Sequence, residues 1–304
     1  MASILDQVSR GAQAVVIRLR SLGDCVLTTP ALDLLKRSRP DLTIAVVVED
    51  RFAAVFDGNP DVSAILPPSG RAIANWQPEL CLNLHGGTRS MGLTLRSGAR
   101  FRAGFAHHRH SFVYNVAIPT AQEILGVDRK IHTAEHLASA MFYLGASRRE
   151  ISGAKLFADP PPHRSSRVAV LHPFASAADK MWPTERFVAV ARHLRAVCRI
   201  EPVFIGTSAE DMSPFREYRI SQGAPSHQLI NLIAGASAFV GNDSGPAHIA
   251  SAFFIPSVVI FGNSDADVWG PWRARAEALV ADGPIESVET GQVVRALERL
   301  RVAA

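Results

Sequence analysis

The chain has 304 residues, of which 47% are hydrophobic and 20% charged, so it can bury a core and is not intrinsically disordered. Its length suits two domains of about 150 residues each. The 32 basic and 28 acidic residues give a formal net charge of +4, and the 3 scattered cysteines form no metal-binding or disulfide pattern. The sequence contains no apolar run of about 18 residues and no signal peptide, which predicts a cytoplasmic protein without a transmembrane helix.

Short apolar runs alternate with amphipathic stretches along the whole chain. In the first half we expect helices at residues 29–36 and 134–144, and strands at residues 14–19, 43–48, 64–66 and 80–84. In the second half we expect helices at residues 183–197, 227–234, 244–253 and 286–301, and strands at residues 168–171, 202–205, 239–240 and 257–261. Continuous apolar strands between helices indicate parallel sheets that are covered on both faces.

A proline-rich segment at residues 159–166 separates the two halves, because three consecutive prolines fit neither a helix nor a central strand. The sequence therefore predicts two Rossmann-like, doubly wound α/β domains, residues 1–158 and 167–285, facing a central cleft. The last segment, residues 286–304, is expected to form a helix that packs back on the N-terminal domain.

The first polar motif is RLRSLGD at residues 18–24, directly after the first predicted strand. It places the carboxylate of Asp24 at the carboxyl end of that strand. Two interpretations stay open: Asp24 acts as a general base on a hydroxyl, or it caps the next helix. The motif is not a dinucleotide-binding fingerprint, and the chain contains no P-loop.

Two further motifs follow strands in the second half. In HPFASAADKMWP, residues 172–183, small residues precede Lys180, which is either a point charge for phosphate or a plain surface lysine. In GNDSGPAH, residues 241–248, Asp243 and Ser244 are typical helix caps, and the helix that follows offers free N–H groups to an anion. Asp243 is free to bind sugar hydroxyls, and His248 either faces the same ligand or lies in the core.

No acidic residue occurs between residues 80 and 122, although this window holds Arg89, Arg96, Arg100, Arg102 and Arg109. It is either a solvated basic surface or a binding surface for an anionic partner or a membrane. Nucleic acid is not an expected partner because no recognition motif is present. Asp265 and Asp267 form a DxD pattern in a predicted loop, where we expect no metal.

Taken together and in this order, RLRSLGD…TTPAL, ADKMWPTERF and GNDSGPAHIA resemble glycosyltransferase family 9, the lipopolysaccharide heptosyltransferases, over residues 14–272. The resemblance implies a GT-B fold, with the acceptor bound mainly by the first domain and the nucleotide-sugar by the second. It also implies inverting transfer of a heptose or related sugar, without metal or cofactor, from ADP-heptose to an anionic lipopolysaccharide-core or other glycan acceptor.

The resemblance implies specific roles for the motif residues, with Asp24 as the general base. The expected donor contacts are Ser176, Lys180, Glu210, Asp243, Ser244, Gly245 and His248. The expected acceptor contacts are Ser21, Gly23, Arg89, Arg96, Arg102 and Arg109. Since the acceptor is lipid-linked, a peripheral contact with the cytoplasmic face of the inner membrane is expected.

The sequence departs from the family pattern in two places. Phe174 stands where the family often has glycine and could narrow the phosphate loop, and residues 212–230 match weakly where the family recognises its base. Two alternatives therefore stay open: a catalytically degenerate protein that binds a sugar nucleotide, and an enzyme similar to the UDP-sugar epimerases.

Overall fold

The computed structural model describes residues 2–158 and 167–302. The chain divides into two compact units, Met1–Phe157 and Ala158–Ala304. The linker predicted at residues 159–166 lies outside the described residues.

The first unit is a six-stranded parallel sheet with helices. Its strands are β1 Gln13–Ile17, β2 Thr43–Val47, β3 Ala64–Leu66, β4 Leu80–Asn83, β5 Phe101–Phe105 and β6 Val116–Ile118. Its helices are α1 Ile4–Gln7, α2 Leu22–Ser38, α3 Gly70–Trp76, α4 Thr88–Arg96, α5 Ala121–Leu125 and α6 Thr133–Leu144. The strands lie in the order β3-β2-β1-β4-β5-β6, and every pair is parallel. This order is that of a dinucleotide-binding Rossmann sheet.

The second unit repeats the same plan. Its strands are β7 Val168–His172, β8 Glu201–Gly206, β9 Arg219–Gln222, β10 Ala238–Asn242, β11 Ser257–Phe261 and β12 Ala276–Val280. Its helices are α7 Thr184–Ala196, α8 Ser226–Ala234, α9 Gly245–Ala252, α10 Ala266–Trp269 and α11 Thr290–Arg299. The order β12-β11-β10-β7-β8-β9 is again the Rossmann order, and its strands are parallel throughout. The prediction of two doubly wound α/β sheets is confirmed.

The central strands are buried along their length because β-branched and other apolar residues face helices on both sides of each sheet. In the second unit, the largest fully buried side chain is that of Trp182, whose indole N–H donates to the carbonyl oxygen of Val288 at 2.6 Å. Helix α11 belongs to this core through Val293, Ala296 and Leu297. Its predicted packing on the first unit stays a prediction.

Helix α2 differs from the prediction because it begins at Leu22 and not near residue 29. Pro30 consequently lies inside the helix, where it provides no N–H group for the carbonyl oxygen of Val26. The hydroxyl of Thr29 donates to that oxygen at 2.7 Å and replaces the missing bond. The earlier start puts Asp24 in the first turn of the helix.

Candidate active site

The first unit has a pocket of about 560 Å³ beyond the carboxyl ends of strands β1, β2 and β4. It is lined by Arg18, Arg20, Ser21, Asp24, Arg51, Phe52 and His85. Strands β1 and β4 lie on the two sides of the point at which the strand order reverses, where doubly wound sheets bind their ligands. The pocket therefore occupies the ligand position of this sheet.

The carboxylate of Asp24 caps helix α2 and also lines this pocket. Its Oδ2 atom accepts from the backbone N–H and the hydroxyl of Ser21, at 3.1 and 3.0 Å. Its Oδ1 atom faces Nη1 of Arg18 at 3.3 Å. The side chain remains 25% exposed, so a ligand in the pocket has access to it.

Three arginines give the pocket an excess of positive charge over the single carboxylate. Arg51 is paired with Glu49 at 3.0 Å, and its guanidinium also lies over the ring of Phe52 at 4.6 Å. Arg20 is exposed. Guanidinium groups bind carboxylates and phosphates with two parallel hydrogen bonds, so this pocket suits an anionic ligand.

His85 enters the pocket from the loop after β4. The side-chain oxygen of Asn83 accepts from the backbone N–H groups of His85 and Gly86, at 3.0 and 3.2 Å, which fixes this loop. Burial and the charge of Arg18 lower the pKa of His85 below its ordinary value, so the ring is neutral at pH 7. His85 and Arg51 were missed as site residues, although both follow predicted strands at their carboxyl ends.

None of the four predicted acceptor arginines is among the residues that line this pocket, and two of them already have polar partners. Arg89 is paired with Glu49 at 3.1 Å, and Arg102 donates to the carbonyl oxygens of Val113 and Ala99. The aliphatic part of Arg96 packs against Gly70, where a Cβ atom would approach it to 2.6 Å, and Arg109 is exposed. Of the two predicted non-arginine contacts, Ser21 lines the pocket and Gly23 is buried in helix α2.

Two histidines of the first unit, His108 and His136, are held in aromatic contacts with Phe105. His136 stacks on Phe105 with ring centroids 4.1 Å apart, and His108 contacts the hydroxyl of Tyr114 at 3.3 Å. Burial, together with the neighbouring His107, lowers the pKa values of His108 and His136 to about 4. Both rings are therefore neutral at pH 7.

In the second unit, Asn242 joins the loops that follow β7 and β10. Its side-chain N–H donates to the carbonyl oxygen of Pro173 at 2.8 Å, and its side-chain oxygen accepts from the backbone N–H of Trp182 at 3.1 Å. Asn242 is fully buried, which makes these bonds costly to lose. The loop of residues 173–182 is thereby fixed beside the start of helix α9.

This arrangement brings together two of the predicted donor residues. Nζ of Lys180 lies 3.5 Å from Oδ2 of Asp243, with the side chains 29% and 10% exposed. The turn that carries Lys180 approaches strand β11 closely, and a Cβ atom on Gly262 would lie 2.4 Å from the carbonyl oxygen of Asp179. Only glycine leaves room for that approach.

The first turn of helix α9 lies beside this pair. The hydroxyl of Ser244 donates to the carbonyl oxygen of Asn242 at 3.0 Å, and its oxygen is 2.9 Å from Nδ1 of His172. Burial lowers the pKa of His172 to about 4, so its ring is neutral at pH 7. Because the hydroxyl of Ser244 donates to Asn242, we assign the ring proton to Nδ1, which then donates to the oxygen of Ser244. Pro246 has no N–H group and the backbone N–H of Ala247 donates to the carbonyl oxygen of Ser244 at 3.1 Å, so the backbone N–H of Gly245 is the donor that this first turn offers to an anion.

The other predicted donor residues are placed differently. Ser176 is exposed on the loop, whereas His248 is buried, as expected of a core histidine. The carboxylate of Glu210 accepts from the backbone N–H of Thr207 at 2.5 Å and closes the turn after β8. This contact gives Glu210 a structural role of its own.

The two departures from the family pattern are both folded into the second unit. The ring of Phe174 packs against the core and meets Phe215 edge to face, with centroids 6.2 Å apart. Within residues 212–230, Met212 and Phe215 are buried, and the stretch includes β9 and the start of α8.

The DxD pattern has a local structural role, because Asp265 caps helix α10 and accepts from the backbone N–H of Asp267 at 2.9 Å. Within residues 2–158 and 167–302, no group of three or more His, Cys, Asp or Glu side chains is arranged to hold a metal ion. In the same ranges, no helix has the length and apolar character that a membrane span requires.

Known proteins resemble this chain in sequence and in structure. The model of glycosyltransferase family 9 (heptosyltransferase) matches residues 69–293. Lipopolysaccharide heptosyltransferase 3 of Escherichia coli is 26% identical to this chain in an alignment that covers 84% of each chain.

Among solved structures, a family 9 glycosyl transferase of Veillonella parvula superimposes with a TM-score of 0.84 at 20% identity, covering 96% of this chain and 98% of its own. The E. coli ADP-heptose lipopolysaccharide heptosyltransferase II superimposes with a TM-score of 0.81 at 18% identity, covering 95% and 98%. The two Rossmann sheets match the GT-B fold of these enzymes, and the family model spans most of the chain. The chain is thus a glycosyltransferase and belongs to glycosyltransferase family 9.

Proposed function

We propose that this enzyme transfers a heptose from ADP-heptose to an anionic acceptor of the lipopolysaccharide core, with inversion and without a metal. The observation that carries the proposal is the division of charge between the units. The first unit holds a carboxylate in an arginine-lined pocket, and the second holds a lysine beside a helix N-terminus. The names of the relatives, which specify lipopolysaccharide and ADP-heptose, support this choice of substrates.

The second unit provides what a nucleoside diphosphate leaving group needs. Negative charge develops on the diphosphate as its bond to the sugar breaks. Lys180 supplies a positive charge, and the backbone N–H of Gly245 and the positive end of helix α9 favour an anion beside it. Asp243 holds Lys180 in place, and its second oxygen can accept from a sugar hydroxyl. These groups take the place that a divalent cation has in metal-dependent transferases.

The first unit provides what the acceptor needs. Arg20 and Arg51 bind its carboxylate or phosphate groups. Asp24 accepts the proton of the attacking hydroxyl as the new bond to the anomeric carbon forms and the bond to the diphosphate breaks. A single displacement of this kind inverts the anomeric centre and leaves ADP, the glycosylated acceptor and a proton on Asp24. Because the acceptor is lipid-linked, we also expect a peripheral contact with the membrane.

Nucleotide binding tests the donor site. In calorimetry with a chelator present, we expect ADP to bind more tightly than UDP or GDP. Loss of the bond from Lys180, worth about 1.5–3 kcal/mol for a charged group, should weaken ADP binding about 10- to 150-fold in Lys180→Ala. The exposed Lys130 is the matched control, and Lys130→Ala should bind ADP as the wild type does. A preference for UDP or GDP would exclude an ADP-linked donor.

Transfer tests the reaction itself. With ADP-heptose and a Kdo-lipid A acceptor, the wild type should form the glycosylated product in the presence of the chelator. Asp24→Asn should lower kcat by the roughly 10²–10⁴-fold typical of a lost general base, with ADP binding intact. Nucleotide binding without transfer to any acceptor would instead indicate a degenerate enzyme, and turnover of a UDP-sugar without an acceptor would indicate an epimerase.

A further inference from the structure

Arg18 lies beneath the pocket, at the end of strand β1, and the helix that carries Asp24 holds it at two points. Nε donates to the hydroxyl oxygen of Thr28 at 3.2 Å, and Nη1 faces Oδ1 of Asp24 at 3.3 Å. The hydroxyl of Thr28 is itself fixed, because it donates to the backbone carbonyl oxygen of Asp24 at 2.8 Å. The planar guanidinium thus spans one turn of helix α2 and is tied to Asp24 at both ends.

The two oxygens of Asp24 are held unequally. Oδ2 has two donors from Ser21 at ordinary hydrogen-bond lengths, whereas the contact from Arg18 to Oδ1 is longer than a strong charge-assisted bond. Oδ1 is therefore the oxygen with capacity for another hydrogen bond. An acceptor hydroxyl in the pocket would meet Oδ1, while Oδ2 stays in the helix cap.

The guanidinium of Arg18 is buried, with only 6% of the residue exposed, so its positive charge is poorly solvated. Burial lowers its pKa, and the neighbouring carboxylate of Asp24 opposes that effect. The nearby rings of His85, His108 and His136 are neutral at pH 7 and do not share the role of a cation. Breaking such a pair from either side leaves an uncompensated charge in a poorly solvated place.

We propose that Arg18 is the positioning residue for Asp24: through Thr28 and its own contact with Oδ1, it holds that oxygen in the orientation that receives the proton of the acceptor. This inference rests on the proposed role of Asp24 as general base. Arg18 acts through Asp24, so its contribution to the rate should vanish when Asp24 can no longer accept a proton. An arginine that only binds the acceptor, or only stabilises the fold, would contribute independently of Asp24.

A double-mutant cycle distinguishes these roles. We expect Arg18→Gln to lower kcat by about 10-fold or more with the KM for the donor unchanged, and to have less than about a 3-fold effect in the Asp24→Asn background. Arg51→Gln is the matched control, since Arg51 lines the same pocket but is paired with Glu49, and its effect should multiply with that of Asp24→Asn. Multiplication of the Arg18 and Asp24 effects would overturn the proposal.

Thr28→Val extends the test to a variant that keeps the shape of the buried side chain and the charge of Arg18. It removes one of the two points that fix the guanidinium, and we expect it to lower kcat several-fold. Thr29→Val is its control, because Thr29 is equally buried in helix α2 but bonds to Val26 and Lys155. An equal loss of kcat in both variants, or none in Thr28→Val, would overturn the role of Arg18. If the wild type transferred no sugar, the proposed function would fail first.

Discussion

Acidification should destabilise the second unit through one histidine. His172 ends strand β7, is only 8% exposed, and donates from Nδ1 to Ser244 at the start of helix α9. Burial lowers its pKa from the ordinary 6.5 to about 4. Protonation would place a charge and a second N–H donor inside the unit, beside the helix N-terminus that already carries positive partial charge.

The sign and size of this loss of stability follow from the linkage between protonation and folding. The unfolded chain takes up a proton on this residue below pH 6.5, whereas the folded protein resists until about pH 4. The contribution to stability is therefore complete above pH 6.5 and is lost as the pH falls toward 4. At about 1.4 kcal/mol for each pH unit, the loss is about 3 kcal/mol. This is a large part of the 5–15 kcal/mol that typically holds a domain folded.

Urea unfolding followed by tryptophan fluorescence between pH 7 and 4 measures this loss. Trp182, Trp269 and Trp272 lie in the second unit, so a Trp76→Phe background confines the signal to that unit. His172→Gln cannot titrate but keeps a side-chain N–H for Ser244. We expect its free energy of unfolding to fall by about 3 kcal/mol less over this range than that of the parent.

The exposed His227 on helix α8 provides the matched control, and His227→Gln should follow the parent at every pH. The reasoning would be refuted if His172→Gln and the parent lost stability in parallel. It would also be refuted if His227→Gln gave the same protection as His172→Gln. In the first unit, the lowered pKa values of His108 and His136 predict a loss of the same sign.

Two substitutions test the packing around the proposed donor site without removing a group that we propose to bind the donor. Gly262→Ala should displace the turn that carries Lys180, because its Cβ would lie 2.4 Å from the carbonyl oxygen of Asp179. We expect weaker ADP binding in calorimetry, and unchanged affinity would show that the turn is free to move. Asn242→Ala should cost about 1–3 kcal/mol for each buried partner that it leaves unbonded, at Pro173 and Trp182. Thermal unfolding measures that loss, and a Tm equal to that of the wild type would contradict it.

The sequence predicted most of the fold because the central strands of both sheets are continuous apolar runs. The strands that escaped prediction are chiefly those toward the sheet edges. Strand β9 carries Arg219 and Gln222, and β12 is only partly buried along its length. Such strands lack the apolar run that identifies a buried strand in the sequence. Hydrogen bonding to the neighbouring strand holds them in place, and the periodicity of one stretch of sequence carries no information about that pairing.

The candidate site was predictable where its residues follow neighbouring strands of one sheet, and not where a charged side chain pairs with a residue outside its own stretch of sequence. Lys180 and Asp243 each follow a strand of one sheet, and the parallel order brings them together. The basic window, by contrast, was interpreted without Glu49 and Glu79, which lie outside it and pair with Arg89 and Arg100. A surplus of arginine in a stretch of sequence therefore does not by itself give the local charge, because folding brings in carboxylates from outside that stretch. The roles of these arginines in acceptor binding stay a prediction.

Asp24 shows why two interpretations of one residue need not compete. The sequence left a helix cap and a general base as alternatives, since both require a carboxylate after a buried strand. In the folded unit, the cap uses Oδ2, and the geometry of the first helical turn directs Oδ1 toward the pocket and Arg18. The hydrogen bonds of the cap restrict rotation of the Asp24 carboxylate. A carboxylate that accepts a proton in the reaction must keep one orientation. A base placed at the third position of a capped helix is oriented by the same hydrogen bonds that begin the helix.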